Sequence, residues 1–167
     1  FRGDGAPEPV ETKIELPIDA HLPHDYVPSE RLRLEMYKRL AEVRADEDVD
    51  LIREEMLDRY GEPPAEVESL LQVARFRGRA RQAGLTDVTL QGKYVRFSPV
   101  ELPDSATVRL NRLYPKSLVK PQVRTMLVPR PSTAVVGGHP IRDEALLTWA
   151  REVIDAVVDP AGAPVQS

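Results

Sequence analysis

Proline sets the scale of every element in this sequence. Its ring fixes φ near −65° and removes the backbone donor, so neither a helix interior nor a central strand accommodates it. The chain has sixteen prolines in 167 residues, clustered in connections and at both ends. Short elements joined by stiff turns are the expected result. With only three Phe, one Trp and five Tyr, the core between those turns is built mainly from Leu, Val, Ile and Ala. A chain of this length supports one domain with a real core, or two very small ones.

Between the prolines, apolar spacing assigns the elements. "TKIELPI" alternates, with Ile14, Leu16 and Ile18 on one side, which predicts a strand or an extended arm. After the rigid connection "DAHLPHDYVP", Ser29 caps a helix whose inner face is Leu32, Met36, Leu40 and Val43, with Tyr37 beside it. Asp46 is the expected cap of a second helix, with Val49, Ile52, Met56 and Tyr60 inward; Gly61 and Pro63–Pro64 stop it. A third helix, from about Ala65 to Ala83, buries Val67, Leu70, Leu71 and Ala74 and ends at Gly84. Short connections make the three helices neighbours.

The period then changes. "DVTLQGKYVRFSP" reads as a hairpin, Val88 and Leu90 facing Val95 and Phe97 across Gly92–Lys93. "PDSATVRLNRLYP" reads as a short helix with Val108, Leu110 and Leu113. "KSLVKPQVRTMLVP" adds two strands, with Val123, Thr125 or Met126, and Val128 as packing candidates, and Pro121 argues against a continuous central strand. Ile141 to Val158 is an amphipathic helix carrying Ala145, Leu146, Trp149, Val153 and Val157. The expected fold is α+β: an amino-terminal three-helix segment followed by a β-hairpin, helix, two-strand, helix unit with a small, mostly antiparallel sheet.

Several chemistries are excluded or unsupported. The absence of cysteine removes disulfides, thiolate metal sites and Cys nucleophiles, and fits a reducing cytosol. No apolar run is long enough to span a membrane, and the start lacks the regions of a signal peptide, so a cytoplasmic location is expected. There is no phosphate loop of the G-x-x-x-x-G-K-[ST] type and no G-x-G-x-x-G, hence no nucleotide cradle in this chain. "VVGGHP" reads as a turn before a helix, and His21 and His24 lie in a proline-rich loop without a third ligand, so no metal site is expected. No nucleophile is paired with a base in a recognised motif, so catalytic residues are not expected and a stand-alone hydrolase is a poor fit.

Two charged stretches remain. Asp46 to Asp58 holds seven acids and one base, Arg53. The early acids cap the helix and favour its dipole, and Glu55 pairs with Arg59 four residues on. Glu54 and Asp58 gain nothing comparable and repel each other at four-residue spacing. A solvated face is the simple reading; a docking surface for an arginine-rich partner is the sharper one. On the third helix, Arg75 and Arg79 share one face and Arg77 and Arg81 another, which reads as a broad basic surface able to hold phosphates. The net charge of −4 weighs against a dedicated polyanion binder, leaving nucleic-acid contact as the alternative reading.

"LPIDAHLPHDYVPSERLRLEMYKRLAEV" and "LIREEMLDRYGEPPAEVESLLQVARFRGRARQAG" together resemble the carboxy-terminal domain of bacterial transcription-repair coupling factors, the Mfd family. The specific pieces are the Leu-Pro-x-x-Tyr-Val-Pro lead-in (Leu22 to Pro28), Tyr37-Lys38-Arg39 and Leu57-Asp58-Arg59-Tyr60-Gly61; after Phe97 the similarity thins. The resemblance covers roughly residues 12–158, leaving 1–11 as a linker from an upstream motor and 159–167 as a tail. It implies a parent that is an ATP-driven double-stranded DNA translocase, displacing stalled RNA polymerase and recruiting the excision-repair protein UvrA. ATP and magnesium belong to the motor, and no cofactor is expected in this piece. The resemblance further implies that the domain is regulatory: it packs on the UvrA-binding module of the same chain, masks it and restrains the motor. Acids of an "ELIDRFG"-like segment form that interface and match Glu55 and Asp58, with Glu54 added on physical grounds alone.

Overall fold

The computed structural model describes residues 11–162. Most of the expected amino-terminal linker and the last residues of the expected tail lie outside the described residues. The element order is β1 (Lys13–Glu15), α1 (Glu30–Ala41), α2 (Asp46–Tyr60), α3 (Ala65–Gln82), β2 (Asp87–Gln91), β3 (Tyr94–Ser98), α4 (Asp104–Leu113), β4 (Leu118–Lys120), β5 (Thr125–Pro129) and α5 (Asp143–Val153), which continues into a π-helical turn at Ile154–Val158. After the short strand β1, three helices precede the other four strands, and the architecture is α+β as expected.

The five strands form one sheet in the order β1-β2-β3-β5-β4. The hairpin register sets Val88 opposite Phe97 and Leu90 opposite Val95, with Gly92 at φ +63° in the turn. β5 pairs antiparallel with both β3 and β4. β1 pairs parallel to β2, so the whole three-helix segment is the crossover between two neighbouring strands. Only three residues of the first apolar stretch are strand; Leu16 and Ile18 continue as an arm half-buried against the sheet's core. Pro121 ends the edge strand β4 and opens a short 3-10 turn, which keeps it out of the ladder.

Two apolar clusters hold the fold together. Val27, Met36, Leu40, Val49, Met56 and Leu71 centre the first, between α1, α2 and α3. Phe76, Phe97, Leu110, Met126, Leu146 and Ile154 centre the second, between the sheet and α3, α4 and α5. α3 belongs to both. Its row Val67, Leu70, Leu71 and Ala74 faces the helices as the spacing predicts, while Val73, Phe76 and Ala80 face the sheet. Gly78 fits this crowded helix because a Cβ there would lie 3.2 Å from the carbonyl oxygen of Arg44.

Some expected positions differ. Asp46 is the first helical residue of α2 rather than its cap; the Asp48 carboxylate instead accepts from the N–H groups of Arg44 (3.3 Å) and Ala45 (3.2 Å). Val108 is 66% exposed, because α4 buries the single row Ala106 and Leu110 and a residue two positions from Leu110 points away; Leu113, the last residue of α4, is also exposed. Val123 is 60% exposed in the 3-10 turn. Ala145 is exposed, one position off the buried row Leu146, Ala150 and Val153.

Candidate functional site

α2 turns two unlike faces outward and inward. Val49, Ile52 and Met56 are buried at three- and four-residue steps. The opposite side carries Leu51, Glu54 and Asp58, again at three- and four-residue steps, with Leu57 and Glu55 beside them. Leu51 is 64% exposed and Leu57 39% exposed. These five residues line an open depression of about 650 Å³.

The helix bearing this face is held from several sides. Arg53 makes a two-pronged contact with Glu68 of α3, at 3.0 and 2.7 Å. Asp50 accepts from Arg75 of α3 at 2.5 Å. Glu55 accepts from Arg39 of α1 at 2.9 Å and from Arg59, one turn on, at 3.2 Å. At the carboxy-terminal end, Tyr26 from the Leu-Pro-x-x-Tyr-Val-Pro segment donates its hydroxyl to the carbonyls of Gly61 (2.8 Å) and Met56 (3.3 Å). Its ring lies 5.6 Å from that of Tyr60, and the Arg59 guanidinium sits 5.3 Å from the Tyr60 ring centroid. Gly61, at φ +88°, then leaves the helix in a direction that an L-residue rarely takes.

The acids therefore divide into spent and unspent. Asp46, Asp48, Asp50 and Glu55 each have a partner in the fold; Glu47 has none among the described residues but lies in the first turn, where the dipole favours it. Glu54 and Asp58 are exposed and, among the described residues, have no ion pair or hydrogen bond. They occupy the half of the helix where the dipole opposes a negative charge. The hydrogen bond from Arg39 holds the Glu55 carboxyl below the ordinary glutamate range, with Arg59 acting in the same sense against a partial burial penalty. Arg53 does the same for Glu68.

A carboxyl depressed in the folded state contributes stability above its unfolded pKa, about 4.3 for Glu, and loses it as pH falls through the folded value. Urea denaturation between pH 3 and 7 is thus expected to show stability falling below about pH 4. A Glu55→Gln, Glu68→Gln double variant loses less over the same interval, being already weaker at neutral pH. An unchanged acid slope in that variant rules the two pairs out as the cause.

The arginines of α3 do not form one basic face. Arg79 is 4% exposed, donating to Asp155 (2.8 Å), Asp159 (3.0 Å) and the Asp159 carbonyl (3.0 Å). Arg81 donates to the carbonyls of Ala41 (3.0 Å) and Val43 (3.2 Å), satisfying acceptors that the end of α1 leaves open. Arg75 is committed to Asp50 and the Asp46 carbonyl. Arg77 is half-buried, and desolvation, followed by repulsion from Arg81, lowers its pKa. Because α3 is buried on two sides, the guanidiniums of Arg75, Arg79 and Arg81 are turned to internal acceptors. Elsewhere, His21 lies 3.2 Å from Asp19, and His24 is exposed in the lead-in loop. No described helix is long and apolar enough to cross a membrane.

Leu51, Leu57 and Arg39 escaped the sequence reading as parts of this face. The available signal was that both leucines lie off the row Val49, Ile52 and Met56, so they cannot share its burial.

Comparison with known proteins places this arrangement. The family model described as the TRCF domain matches residues 16–109. The chain is 44% identical over 162 residues, 96% of its length, to proteins named transcription-repair-coupling factor from Mycobacterium bovis and Mycobacterium tuberculosis. It is 35% identical over 105 residues, 63% of the chain, to the protein of that name from Staphylococcus haemolyticus. It spans 13% of the length of the mycobacterial relatives and 9% of the staphylococcal one. Its fold is shared with a crystal structure of the C-terminal domain of transcription-repair coupling factor, at a TM-score of 0.64 and 16% identity, covering 92% of this chain and 96% of that one. Built around an outward acidic helix and a sheet closed by α5, the chain belongs to the TRCF domain family.

Proposed function

We propose that this chain is a non-catalytic, autoinhibitory domain of an ATP-driven double-stranded DNA translocase that displaces stalled RNA polymerase and recruits UvrA. Residues 12–158 are the regulatory unit in this reading. It docks through the outer face of α2 on the UvrA-binding module of the same parent, masks that module and restrains the motor. ATP and magnesium act in the motor, not here. The observation that supports the reading is the pair of exposed carboxylates, Glu54 and Asp58, without an ion pair among the described residues, on a helix otherwise tied down by internal ion pairs. Their mutual repulsion is relieved when a cationic surface meets them.

Moderate electrostatics is enough for such a latch, because two modules of one chain meet at high effective concentration. Opening it from almost closed to almost open takes about 5.5 kcal/mol of differential binding, which polymerase, DNA and ATP supply jointly. The test is calorimetric titration of the 167-residue chain with the purified UvrA-binding module at low and high salt. Binding that weakens roughly tenfold between 50 and 300 mM salt is expected, since exposed charges are screened over about 10 Å at 0.1 M. No binding at either salt, or salt-independent binding, overturns the reading.

A further inference from the structure

We infer that the polar face of the sheet, framed by Lys93, Lys116 and Lys120, is a contact surface for the phosphate backbone of double-stranded DNA, made without regard to base sequence. The inference stands apart from the docking reading above and uses none of its residues.

Charge is unevenly divided along this chain. Residues 87–130 hold eight Lys or Arg and three Asp or Glu, a net of +5 within a chain whose net charge is −4. Two of those three acids are already used: Asp87 accepts from Arg96 at 2.7 Å, and Glu101 pairs with Arg124 at 3.2 Å. Lys93, Lys116 and Lys120 are exposed, and among the described residues their ammonium groups have no ion pair or hydrogen bond.

The sheet register brings the three together. Alternate residues fall on two faces, and Val88, Val95, Phe97, Met126 and Val128 send one face into the core. The other carries Thr89, Gln91, Tyr94, Arg96 and Ser98, none of them buried, and continues to Leu118 and Lys120 on the edge strand β4. Lys93 stands in the hairpin turn, where its carbonyl accepts from the N–H of Arg130 at 2.9 Å. Lys116 precedes β4 on that same side, and Lys120 closes the strand at its far end. β3 and β4 are two strand spacings apart, and Lys116 and Lys120 four residues apart, so the lysines frame a patch of roughly 10 by 13 Å.

The residue types select the occupant. Protein interfaces are depleted in lysine and built on arginine and aromatic anchors, whereas phosphates are held well by point charges. A duplex lays down one charge per about 1.7 Å of its axis, so several phosphates cross such a patch in any register. Single strands are gripped by bases stacked on aromatic side chains. Among the described residues of this face only Tyr94 is aromatic, and it is half-buried. An edge-strand lysine also discourages pairing with another chain; that accounts for Lys120, but not for Lys93 in a turn or Lys116 ahead of the strand.

The test is fluorescence anisotropy of a labelled duplex of about 20 base pairs titrated with the 167-residue chain from about 50 to 200 mM salt, beside a single strand of equal length. Three phosphate contacts predict a loss of about 40-fold in duplex affinity over that range, at a slope near −0.9 for each contact. The Lys93→Gln, Lys116→Gln, Lys120→Gln variant is expected to bind at least about tenfold more weakly at the lower salt and to lose most of the salt slope. Its melting midpoint stays within about 2 °C, since exposed, unpaired side chains are close to neutral for stability. A Lys38→Gln, Arg44→Gln control removes two exposed cations outside the sheet and holds Kd within about threefold.

Absence of duplex binding at the lower salt overturns the inference, as does binding that the triple variant retains. Binding abolished by Arg77→Gln but not by the triple variant places the contact on α3 and overturns it equally. Tighter binding of the single strand than of the duplex also counts against it, because stacking rather than the backbone would then carry the contact.

Discussion

Replacing Arg79 by methionine is expected to destabilise the domain by about 3 kcal/mol, the lower end of what removing one member of a buried ion pair costs. The methionine keeps much of the side-chain volume, so the loss is mainly electrostatic. Arg79 joins α3 to the turn that follows α5, through Asp155 at 2.8 Å, Asp159 at 3.0 Å and the Asp159 carbonyl at 3.0 Å. Without it, two carboxylates face each other across a site designed for a cation. They are themselves partly exposed and recover some hydration, which is why the lower end applies. At this chain length the change corresponds to a fall of about 6–12 °C in the melting midpoint. Chemical denaturation of the variant checks it, and a loss below about 1 kcal/mol would mean that Arg79 contributes little beyond its packing.

The second large effect is expected from Phe97→Ala, at about 3–5 kcal/mol for emptying a buried phenylalanine site. Phe97 is fully buried on β3, the strand between β2 and β5, where no neighbouring backbone can shift far without breaking a ladder. Its ring packs 6.5 Å from that of Trp149 on α5, and Trp149 meets Tyr114 edge-on at 6.2 Å. Trp149 is the only tryptophan in the chain, so its emission reports directly on the site. The expected result is a shifted native emission together with a lower denaturation midpoint. Val108→Ala, on the same half of the molecule but in solvent, is the control and changes stability by less than about 0.5 kcal/mol.

The two variants also probe whether the apolar clusters melt together. α3 supplies Leu71 to one and Phe76 to the other, so neither cluster persists once that helix lets go. Trp149 emission, which senses the sheet side, and far-ultraviolet dichroism, dominated by α1 to α3, should therefore trace one transition in both variants. Loss of the sheet-side core then removes the acidic outer face too, although that face lies wholly on α2.

Much of the fold was legible in local pattern. The three amino-terminal helices, the Ser29 cap, the Gly61 and Gly84 stops and the hairpin register follow from rules that act over a few residues. The candidate face was legible in part. Glu54 and Asp58 stand out in sequence because nothing within one turn neutralises them. Glu55 looked equivalent, and its pairing with Arg59 at four residues was visible, but its shorter bond comes from Arg39 on another helix. The exposure of Leu51 was legible only from its place off the row Val49, Ile52 and Met56, since a leucine in a helix ordinarily counts toward a core.

The sequence by itself determined the order and kind of the elements, the inward row of each amino-terminal helix, and the two carboxylates on α2 left without a local partner. Tertiary structure alone decided where the charges go. It made internal clamps of Arg75, Arg79 and Arg81 on α3, with Arg75 and Asp50 25 residues apart and Arg79 and Asp159 80 residues apart. The reason is one of range. Periodicity tells which row of a helix is apolar, whereas the fate of a charged side chain depends on which acceptors a distant segment carries across it. Here the strand β1 pairs beside β2, the sheet closes over the second face of α3, and the turn after α5 returns to cover Arg79.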